Sequence, residues 1–184
     1  MPSTPPPDAS GTVPVHVVVV AYGDPEALGR CLGALGDRYP VVVVDNSSSP
    51  ATQAVVGAAG ATYIDPGANL GFAAGVNRAL STLALDDTDV LLLNPDAVVA
   101  PDVVEHLRRA LHSGARVACA APAQRRPGSD RPSPVVWPFP TATRAWTEAL
   151  GLGRHLRGWG YAIASVLLVR GAALLDVGGF DEGF

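Results

Sequence analysis

The sequence predicts an α/β domain whose sheet is mostly parallel and is covered by helices on both faces. Three observations lead to this fold class. Several apolar runs are continuous rather than alternating, as expected for strands that are buried on both faces of a parallel sheet. Helical patterns fall between these runs at the spacing of strand–helix–strand units. Polar residues and turn formers gather where the runs end, at the edge where open parallel sheets bind ligands.

The apolar runs give the predicted strands, and the segments between them give the helices. The predicted strands are 15–21, 41–44, 61–64, 90–93, 116–120 and 159–169. Helical spacing of apolar residues predicts helices over 25–35 and 101–112, each with a proline near its start. Asp24 precedes the first of these helices and is its expected N-cap. Residues 170–176 are predicted to form a short helix.

Length and composition favour a single domain after a short leader. The 184 residues are 48% hydrophobic and 16% charged, which suits one globular unit. We expect residues 1–13 to be a disordered, proline-rich leader and residues 14–184 to be the domain. Within it, 121–140 is predicted to be an irregular loop because it contains six prolines. We interpret Cys31 and Cys119 as small buried hydrophobes, since two distant cysteines suggest neither a disulfide framework nor a metal site.

The charge is unevenly distributed along the chain. The net charge is −4, yet residues 108–157 hold nine Arg against Asp130 and Glu148, which gives +7 for that window. Such asymmetry suits an anionic partner, such as an anionic membrane surface. Alternatively, this Arg-rich segment is an ordinary solvated surface. No apolar run approaches the roughly 18 residues of a membrane span, so we expect a cytoplasmic protein with a possible peripheral contact at the inner face of the plasma membrane.

Two common nucleotide-binding motifs are absent from the sequence. A dinucleotide-binding fingerprint requires three glycines directly after the first strand, but that turn reads Tyr22-Gly23-Asp24-Pro25. No segment matches the phosphate-binding loop with its Gly-Lys-Ser/Thr ending. The missing motifs therefore argue against a dehydrogenase and a P-loop enzyme. Separately, we expect no nucleic acid among the partners.

Five blocks of the sequence carry a resemblance to a known family. They are VVVVAY at 17–22, VDNSS at 44–48, NLGFAAGVNRA at 69–79, LLLNPD at 91–96 and VGGFDE at 177–182. In this order and spacing they resemble glycosyltransferase family 2 of the GT-A fold, and within it the bacterial rhamnosyltransferase-like group. The resemblance covers residues 15–184. It implies a GT-A fold that transfers a sugar from a nucleotide-diphosphate donor.

The resemblance implies a metal site at Asp96. Asn94-Pro95-Asp96 stands where the family carries its Asp-x-Asp motif, which makes Asp96 the expected ligand of Mg²⁺ or Mn²⁺ and places Asn94 in the donor site. The chemistry agrees, because a departing diphosphate needs cationic stabilisation and these ions accept one or two protein carboxylates. Pro95 makes the turn rigid. Alternatively, Asp96 is an exposed loop carboxylate that caps the following segment.

Further nucleotide-binding residues follow from the same resemblance. It implies that Asp45 accepts a hydrogen bond from the pyrimidine ring, while Ala21 and Tyr22 line the base pocket. The segment around Asn69 and Gly71 is expected near the base and ribose.

Two of these assignments depend largely on the resemblance. By itself, Asp45-Asn46-Ser47 is only a favourable turn sequence. The small residues of 71–75 let a helix approach another group closely, with or without a ligand. The resemblance also places Asn77 in the nucleotide-sugar site, where it implies that Asn77 supports the loop that carries Asp96.

The catalytic residue is not identified by the sequence. In the family, an acidic pair follows the Gly-Gly-Phe-Asp-Glu block and supplies the general base, and this sequence ends at Phe184. We therefore expect a C-terminally incomplete GT-A domain that binds nucleotide weakly and transfers sugar poorly, with the base beyond Phe184. Asp181 and Glu182 are weaker candidates for that role.

Two functions remain open from the sequence. The first is the donor-binding part of an inverting glycosyltransferase that uses a nucleotide-diphosphate sugar, with dTDP-rhamnose as one candidate donor. Its acceptor is expected to be a cell-surface polysaccharide or a lipid-linked glycan. The second is a non-catalytic nucleotide-binding or interaction module that has kept the sheet and lost the chemistry.

Overall fold

The computed structural model describes residues 13–125, 132–133, 135–138, 160–162 and 164–183. The contacts between residues divide the chain into two units. The first comprises Met1–Ala120 and Ala164–Phe184, and the second comprises Ala121–Ile163. The leader predicted at 1–13 lies almost entirely outside the described residues, and the boundaries 1–13 and 14–184 stay predictions.

The described residues contain ten strands. They are β1 (Val15–Ala21), β2 (Val41–Asp45), β3 (Thr62–Ile64), β4 (Asp89–Leu93), β5 (Cys119–Ala120), β6 (Gln124–Arg125), β7 (Pro132–Ser133), β8 (Val136–Pro138), β9 (Gly160–Ala162) and β10 (Val166–Val169). Six of them form the sheet of the first unit in the order β3-β2-β1-β4-β10-β5. In the second unit, β6 pairs with β7 and β8 pairs with β9, both antiparallel.

The strand order creates a switch point beside β1. Strands β1, β2 and β3 run parallel in sequence order to one side, and the chain then returns to place β4 on the other side of β1. Strand β10 is antiparallel to β4 and to β5. In open α/β sheets, ligands bind beyond the carboxyl ends of the strands at such a point. The residues that follow β1, β2 and β4 are therefore at the position where a ligand site is expected.

Helices cover both faces of this sheet. They are α1 (Pro25–Leu35), α2 (Pro50–Ala58), α3 (Gly71–Leu80), α4 (Pro101–Leu111) and α5 (Gly171–Val177), with a 3₁₀ turn at Leu85–Asp87. Apolar side chains of α1, α2 and α4 pack with one set of strand residues, including Val17 and Val19. Those of α3 and α5 pack with the alternate set, including Val18. The predicted α/β class, with a mostly parallel sheet between two helical layers, is confirmed.

The observed starts of α1 and α4 agree with the predicted ones. Helix α2 was not among the predicted elements. The Ala27 backbone N–H donates to Asp24 Oδ1 over 2.9 Å, so the predicted N-cap of α1 is confirmed. Pro25, Pro50 and Pro101 are the first residues of α1, α2 and α4. In the described part of the chain, no helix combines the length and the apolar character needed to cross a membrane.

Several elements near the end of the chain differ from the prediction. The strand predicted at 116–120 consists of Cys119–Ala120 only, and the one predicted at 159–169 is split into β9 and β10, which belong to different sheets. Pairing decides these limits, since β10 extends only as far as it is bonded to β4 and β5. The region predicted as an irregular loop, 121–140, contains the short strands β6, β7 and β8.

The two cysteines occupy different environments. Cys31 is fully buried in the core between α1 and the sheet, as predicted. Cys119 is exposed, so the prediction that it is buried is wrong. Its strand, β5, has two residues and lies at the edge of the sheet, which leaves the side chain uncovered.

A glycine allows α3 to approach the sheet closely. A Cβ atom at Gly75 would lie 2.9 Å from Cγ1 and 3.2 Å from Cγ2 of Val20 on β1. Val20 is β-branched and held in a strand, so its methyl groups have little freedom to move away. This contact explains the small residue in α3 without reference to a ligand.

We expect Gly75→Ala to destabilise the protein by about 1–3 kcal/mol, as overpacking does, although alanine is the better helix former. Gly33→Ala in α1 is the matched control, because a Cβ there meets nothing within 4 Å. It should stabilise by roughly 0.5–1 kcal/mol. Urea denaturation of both variants measures these changes, and a stabilising Gly75→Ala would show that α3 does not need the close approach.

Candidate functional site

The candidate site lies at the carboxyl edge of the sheet, where β1, β2 and β4 end. Ala21 pairs with Asp45 across the last register position of β1 and β2. The Asn46 backbone N–H then donates to the Ala21 carbonyl over 2.9 Å. Tyr22 follows and is 66% exposed. Ala21, Tyr22 and Asp45 are thus brought together, as the sequence predicts for residues that follow adjacent parallel strands.

Asp45 is buried, and both of its carboxylate oxygens are engaged. Oδ1 accepts from the Ser47 backbone N–H at 3.0 Å and from Ser47 Oγ at 2.6 Å. Oδ2 accepts from the Ser49 backbone N–H at 2.8 Å and from the Tyr63 hydroxyl at 3.0 Å. With 0% of the residue exposed, a ligand would have to replace one of these donors to reach the carboxylate. The predicted contact of Asp45 with a pyrimidine ring stays a prediction.

Opposing effects set the ionisation of Asp45. Burial acts to raise its pKa, but the hydrogen bonds from Ser47, Ser49 and Tyr63 outweigh burial and hold the pKa below the usual value. Tyr63 responds in the opposite direction, since burial and then its hydrogen bond to Asp45 raise the pKa of the phenol to about 12. At neutral pH, the pair is an ionised carboxylate bound by a neutral hydroxyl.

Asn46 connects β2 with the start of α3, and the sequence analysis did not identify this role. Its Nδ2 donates to the Gly71 carbonyl over 3.0 Å, and its Oδ1 accepts from the Leu70 N–H over 3.4 Å. The residue is only 6% exposed. The signal in the sequence was an amide directly after a buried strand, but its partner lies 25 residues away and only the fold brings the two together.

The segment before α3 forms a tight polar turn. Asn69 Oδ1 accepts from the Gly71 N–H over 3.0 Å, and Gly71 has φ +77°, a conformation that favours glycine. Asn69 is exposed at this turn. Asp65 Oδ1, in the preceding loop, accepts from Ser48 Oγ at 2.7 Å and from the Gly67 N–H at 2.8 Å. The loops after β2 and β3 are therefore joined into one polar surface beside α3.

Asn94, Pro95 and Asp96 form a closed turn directly after β4. The Ala97 N–H donates to the Asn94 carbonyl over 3.1 Å, with Pro95 at the position of the turn that a fixed φ suits. The thiol of Cys31 lies behind the same carbonyl, with Sγ 3.6 Å from the Asn94 oxygen. Burial, and next the charge of Asp96, raise the pKa of Cys31 to about 12, so the thiol stays protonated and able to donate.

The Asp96 carboxylate fits the position of a metal ligand. The residue is exposed, and within the described ranges no hydrogen bond or salt bridge involves its carboxylate. No cluster of three or more His, Cys, Asp or Glu side chains is found in the described part of the chain. Mg²⁺ and Mn²⁺ bound together with a diphosphate need only one or two protein carboxylates, because phosphate oxygens and waters complete the shell. The donor set of this turn therefore suits such an ion.

The described hydrogen bonds of Asn77 go to the loop after α5, and the predicted support of the Asp96 turn stays a prediction. Its Nδ2 donates to the Phe180 carbonyl and to Glu182 Oε1, both over 2.8 Å, and its Oδ1 accepts from the Phe180 N–H over 2.9 Å. The reason is the position of the residue on α3, which lies beside the loop after α5. The sequence could not indicate this partner, since 103 residues separate Asn77 from Phe180.

Asp181 and Glu182 make hydrogen bonds within their own region. Asp181 Oδ1 accepts from the Gly183 N–H over 2.8 Å, and Glu182 Oε1 accepts from Asn77. Both residues are exposed. Their described contacts are those of a turn and of a loop attachment.

An open groove of about 540 Å³ lies on the α3 and α5 face of the sheet. Its lining includes Leu80, Leu83, Leu174 and Asn77. Asp45 and Asp96 are not among the lining residues, so this groove is distinct from the strand-end site.

The Arg-rich segment is described only in part. Arg108 forms a salt bridge with Glu105 at 3.1 Å and donates to the Val13 carbonyl over 2.8 Å, and Arg109 donates to the Glu105 carbonyl. Of the predicted 108–157 segment, residues 126–131, 134 and 139–157 lie outside the described residues. Membrane contact through this segment stays a prediction.

Comparison with known families decides the assignment of the chain. The model of the family described as "Glycosyl transferase family 2" matches residues 16–162. The chain belongs to glycosyl transferase family 2. It is also 32% identical, over an alignment of 201 positions, to an N-acetylglucosaminyl-diphospho-decaprenol L-rhamnosyltransferase of Mycobacterium tuberculosis. That alignment covers 91% of this chain and 65% of the relative, so the family 2 chain spans about two thirds of the curated relative's length.

Solved structures agree with the GT-A fold of this family 2 chain. A mannosyltransferase from Pyrobaculum calidifontis, in complex with GDP-Man and Mn²⁺, superposes with a TM-score of 0.61 at 17% identity, over 92% of this chain and 48% of that one. Glucosyl-3-phosphoglycerate synthase from Mycobacterium tuberculosis, in complex with UDP, gives a TM-score of 0.57 at 17% identity, over 90% of this chain and 59% of that one. At these identities the likeness shows the fold, and the predicted GT-A fold is confirmed.

The network around Asp45 gives a prediction for stability and pH. Because folding lowers the pKa of Asp45, its contribution is complete at neutral pH and is lost as the pH falls below about 4. Asp45→Asn should therefore destabilise the protein by roughly 2 kcal/mol at pH 7, since an amide cannot accept all four hydrogen bonds. The difference from the native protein should shrink as the pH falls through the native pKa of Asp45.

Urea denaturation between pH 7 and pH 3 measures this dependence. Asp37→Asn serves as the control, because Asp37 is an exposed carboxylate in the turn after α1. Tyr63→Phe should lose about 1.5 kcal/mol, the lower end of the range for one hydrogen bond to a charged group. An Asp45→Asn variant as stable as Asp37→Asn at pH 7 would contradict the assigned network.

Proposed function

We propose that this family 2 chain is the donor-binding part of an inverting glycosyltransferase that uses a nucleotide-diphosphate sugar. The observation that carries the proposal is the exposed Asp96 carboxylate on a rigid turn at the switch point of the sheet. A carboxylate at that position is suited to hold a divalent ion against a diphosphate. Family membership supports the same activity.

The roles of the residues follow from their positions. Asp96 would hold Mg²⁺ or Mn²⁺, with Asn94 beside it on the same turn. When bound, the ion supplies Lewis-acid stabilisation of the negative charge that develops on the departing diphosphate. Cys31 supports the turn from behind through its thiol.

The nucleoside would be bound by the adjacent loops. Tyr22 offers an exposed aromatic face next to the end of β1. Asn69 and Gly71 offer polar groups at the start of α3, and Asn46 holds that start against β2. Asp45 contributes by fixing the turn at Ser47 and Ser49.

The identity of donor and acceptor is proposed from the relatives. The curated relative is named a rhamnosyltransferase acting on an N-acetylglucosaminyl-diphospho-decaprenol, which supports dTDP-rhamnose as donor and a lipid-linked glycan as acceptor. The mannosyltransferase structure contains Mn²⁺, which supports a divalent ion at Asp96. Neither Asp181 nor Glu182 is assigned as the general base, and their described contacts are those of a turn and of a loop attachment.

The metal role of Asp96 can be tested by nucleotide binding. We expect Asp96→Ala to weaken the Mn²⁺-dependent binding of dTDP by at least about tenfold, because the ion loses its protein carboxylate. Isothermal titration with dTDP, UDP and GDP, each with and without Mn²⁺, measures the loss and ranks the bases. The control is Asp102→Asn, an exposed carboxylate in the first turn of α4.

Two results would count against the proposal. Equal affinity of the native protein and Asp96→Ala in Mn²⁺ would remove Asp96 as the ligand. Failure of the native protein to bind any of the three nucleotides would exclude a donor site in this chain and favour an interaction module.

A further inference from the structure

The loop after α5 is attached to α3 by one amide side chain. This loop, Gly178–Glu182, makes three hydrogen bonds with Asn77, which donates two through Nδ2 and accepts one at Oδ1. The partners are the Phe180 carbonyl, the Glu182 carboxylate and the Phe180 N–H. An aspartate could not make these bonds, because it lacks the N–H donors and would repel Glu182. Asparagine is thus matched to both the donors and the acceptors of this loop.

Two further contacts reinforce the attachment. The ring of Phe180 packs edge-to-face on Phe72, with centroids 6.2 Å apart and planes at 89°. Gly179 has φ +89°, and a Cβ there would lie 2.7 Å from Asn77 Oδ1. Only a glycine at this position lets the backbone approach the amide so closely. The loop is therefore shaped to fit α3 at both Phe72 and Asn77.

The same helix carries part of the proposed donor site at its other end. Asn46 binds the Gly71 carbonyl and the Leu70 N–H, and Asn69 caps the Gly71 N–H. Helix α3 has ten residues, and Gly75 packs directly on Val20 of the sheet. Because α3 is short and closely packed on the sheet, a displacement at Gly71 would be transmitted to Asn77.

We infer that Asn77 is a positioning residue that couples the Gly178–Glu182 loop to the donor site through α3. This inference rests on the proposed function, because it requires nucleotide to bind beside Asn69 and Gly71. Nucleotide that orders the start of α3 also strengthens the attachment of the loop. By reciprocity, a loop that is attached raises the affinity for nucleotide by the same factor.

Hydrogen exchange at the Phe180 amide tests the attachment without any ligand. This N–H donates to Asn77 Oδ1, so Asn77→Ala should exchange about fivefold faster at Phe180 than the native protein. Arg78→Gln, an exposed neighbour on α3, is the control and should leave the rate unchanged. A native rate in a folded Asn77→Ala would overturn the attachment.

A reversed pair of side chains keeps the test decisive if Asn77→Ala fails to fold. Asn77→Asp alone should speed exchange at Phe180, because two donors are lost and Glu182 is repelled. Adding Glu182→Gln gives an amide that donates to the new carboxylate, so the double variant should recover part of the native protection. A double variant no better protected than Asn77→Asp would overturn the role of the 77–182 contact.

Coupling is tested by repeating the exchange with dTDP or UDP and Mn²⁺ at saturation. The Phe180 amide of the native protein should exchange at least about twofold more slowly with nucleotide, whereas Asn77→Ala should show no such slowing at this amide. Nucleotide binding without any change at Phe180 would overturn the coupling and leave the donor site intact. Absence of nucleotide binding to the native protein would instead overturn the proposed function, and the coupling with it.

Discussion

The buried carboxylate of Asp45 organises the edge of the sheet at which the candidate site lies. Its two oxygens accept four hydrogen bonds, which fix the turn at Ser47–Ser49 and the hydroxyl of Tyr63 on β3. A buried carboxylate requires such partners, because an unpaired charge in this position would cost several kcal/mol. The loop after β2 therefore has one stable arrangement, and Asn46, the next residue, is directed to the start of α3.

Two carboxylates at the same edge have opposite environments and hence different tasks. Asp45 is buried, and its hydrogen bonds keep its pKa low. Its negative charge is therefore stabilised by internal donors. Asp96 is exposed on a turn made rigid by Pro95, and its charge faces solvent, with an effect on the buried thiol of Cys31 behind it. A carboxylate without internal donors is available to a cation, and one with four is not. Burial and hydrogen bonding, more than residue type, thus separate the structural acid from the proposed ligand.

The described elements of the first hundred residues followed the prediction closely, and the described elements from Cys119 onward did so less. Strands β1, β2 and β4 and the helices α1 and α4 were predicted because continuous β-branched runs and helical spacing are local patterns. The limits of β5, β9 and β10 were not, since two- to four-residue strands exist only through their partners. Cys119 was misassigned for the same reason, because its exposure depends on which strand lies at the edge.

The α/β class, the family and the order in which polar residues follow the strands could be predicted from the chain alone. These depend on residue type and spacing along the chain, which carry the pattern of burial and turn formation. Which of these polar residues are engaged in internal hydrogen bonds depends on the tertiary structure. It enclosed Asp45, left Asp96 exposed, and directed Asn46 to Gly71 and Asn77 to Phe180. Such partners lie 25 and 103 residues away, and only the packing of α3 between the strand ends and α5 brings them within bonding distance.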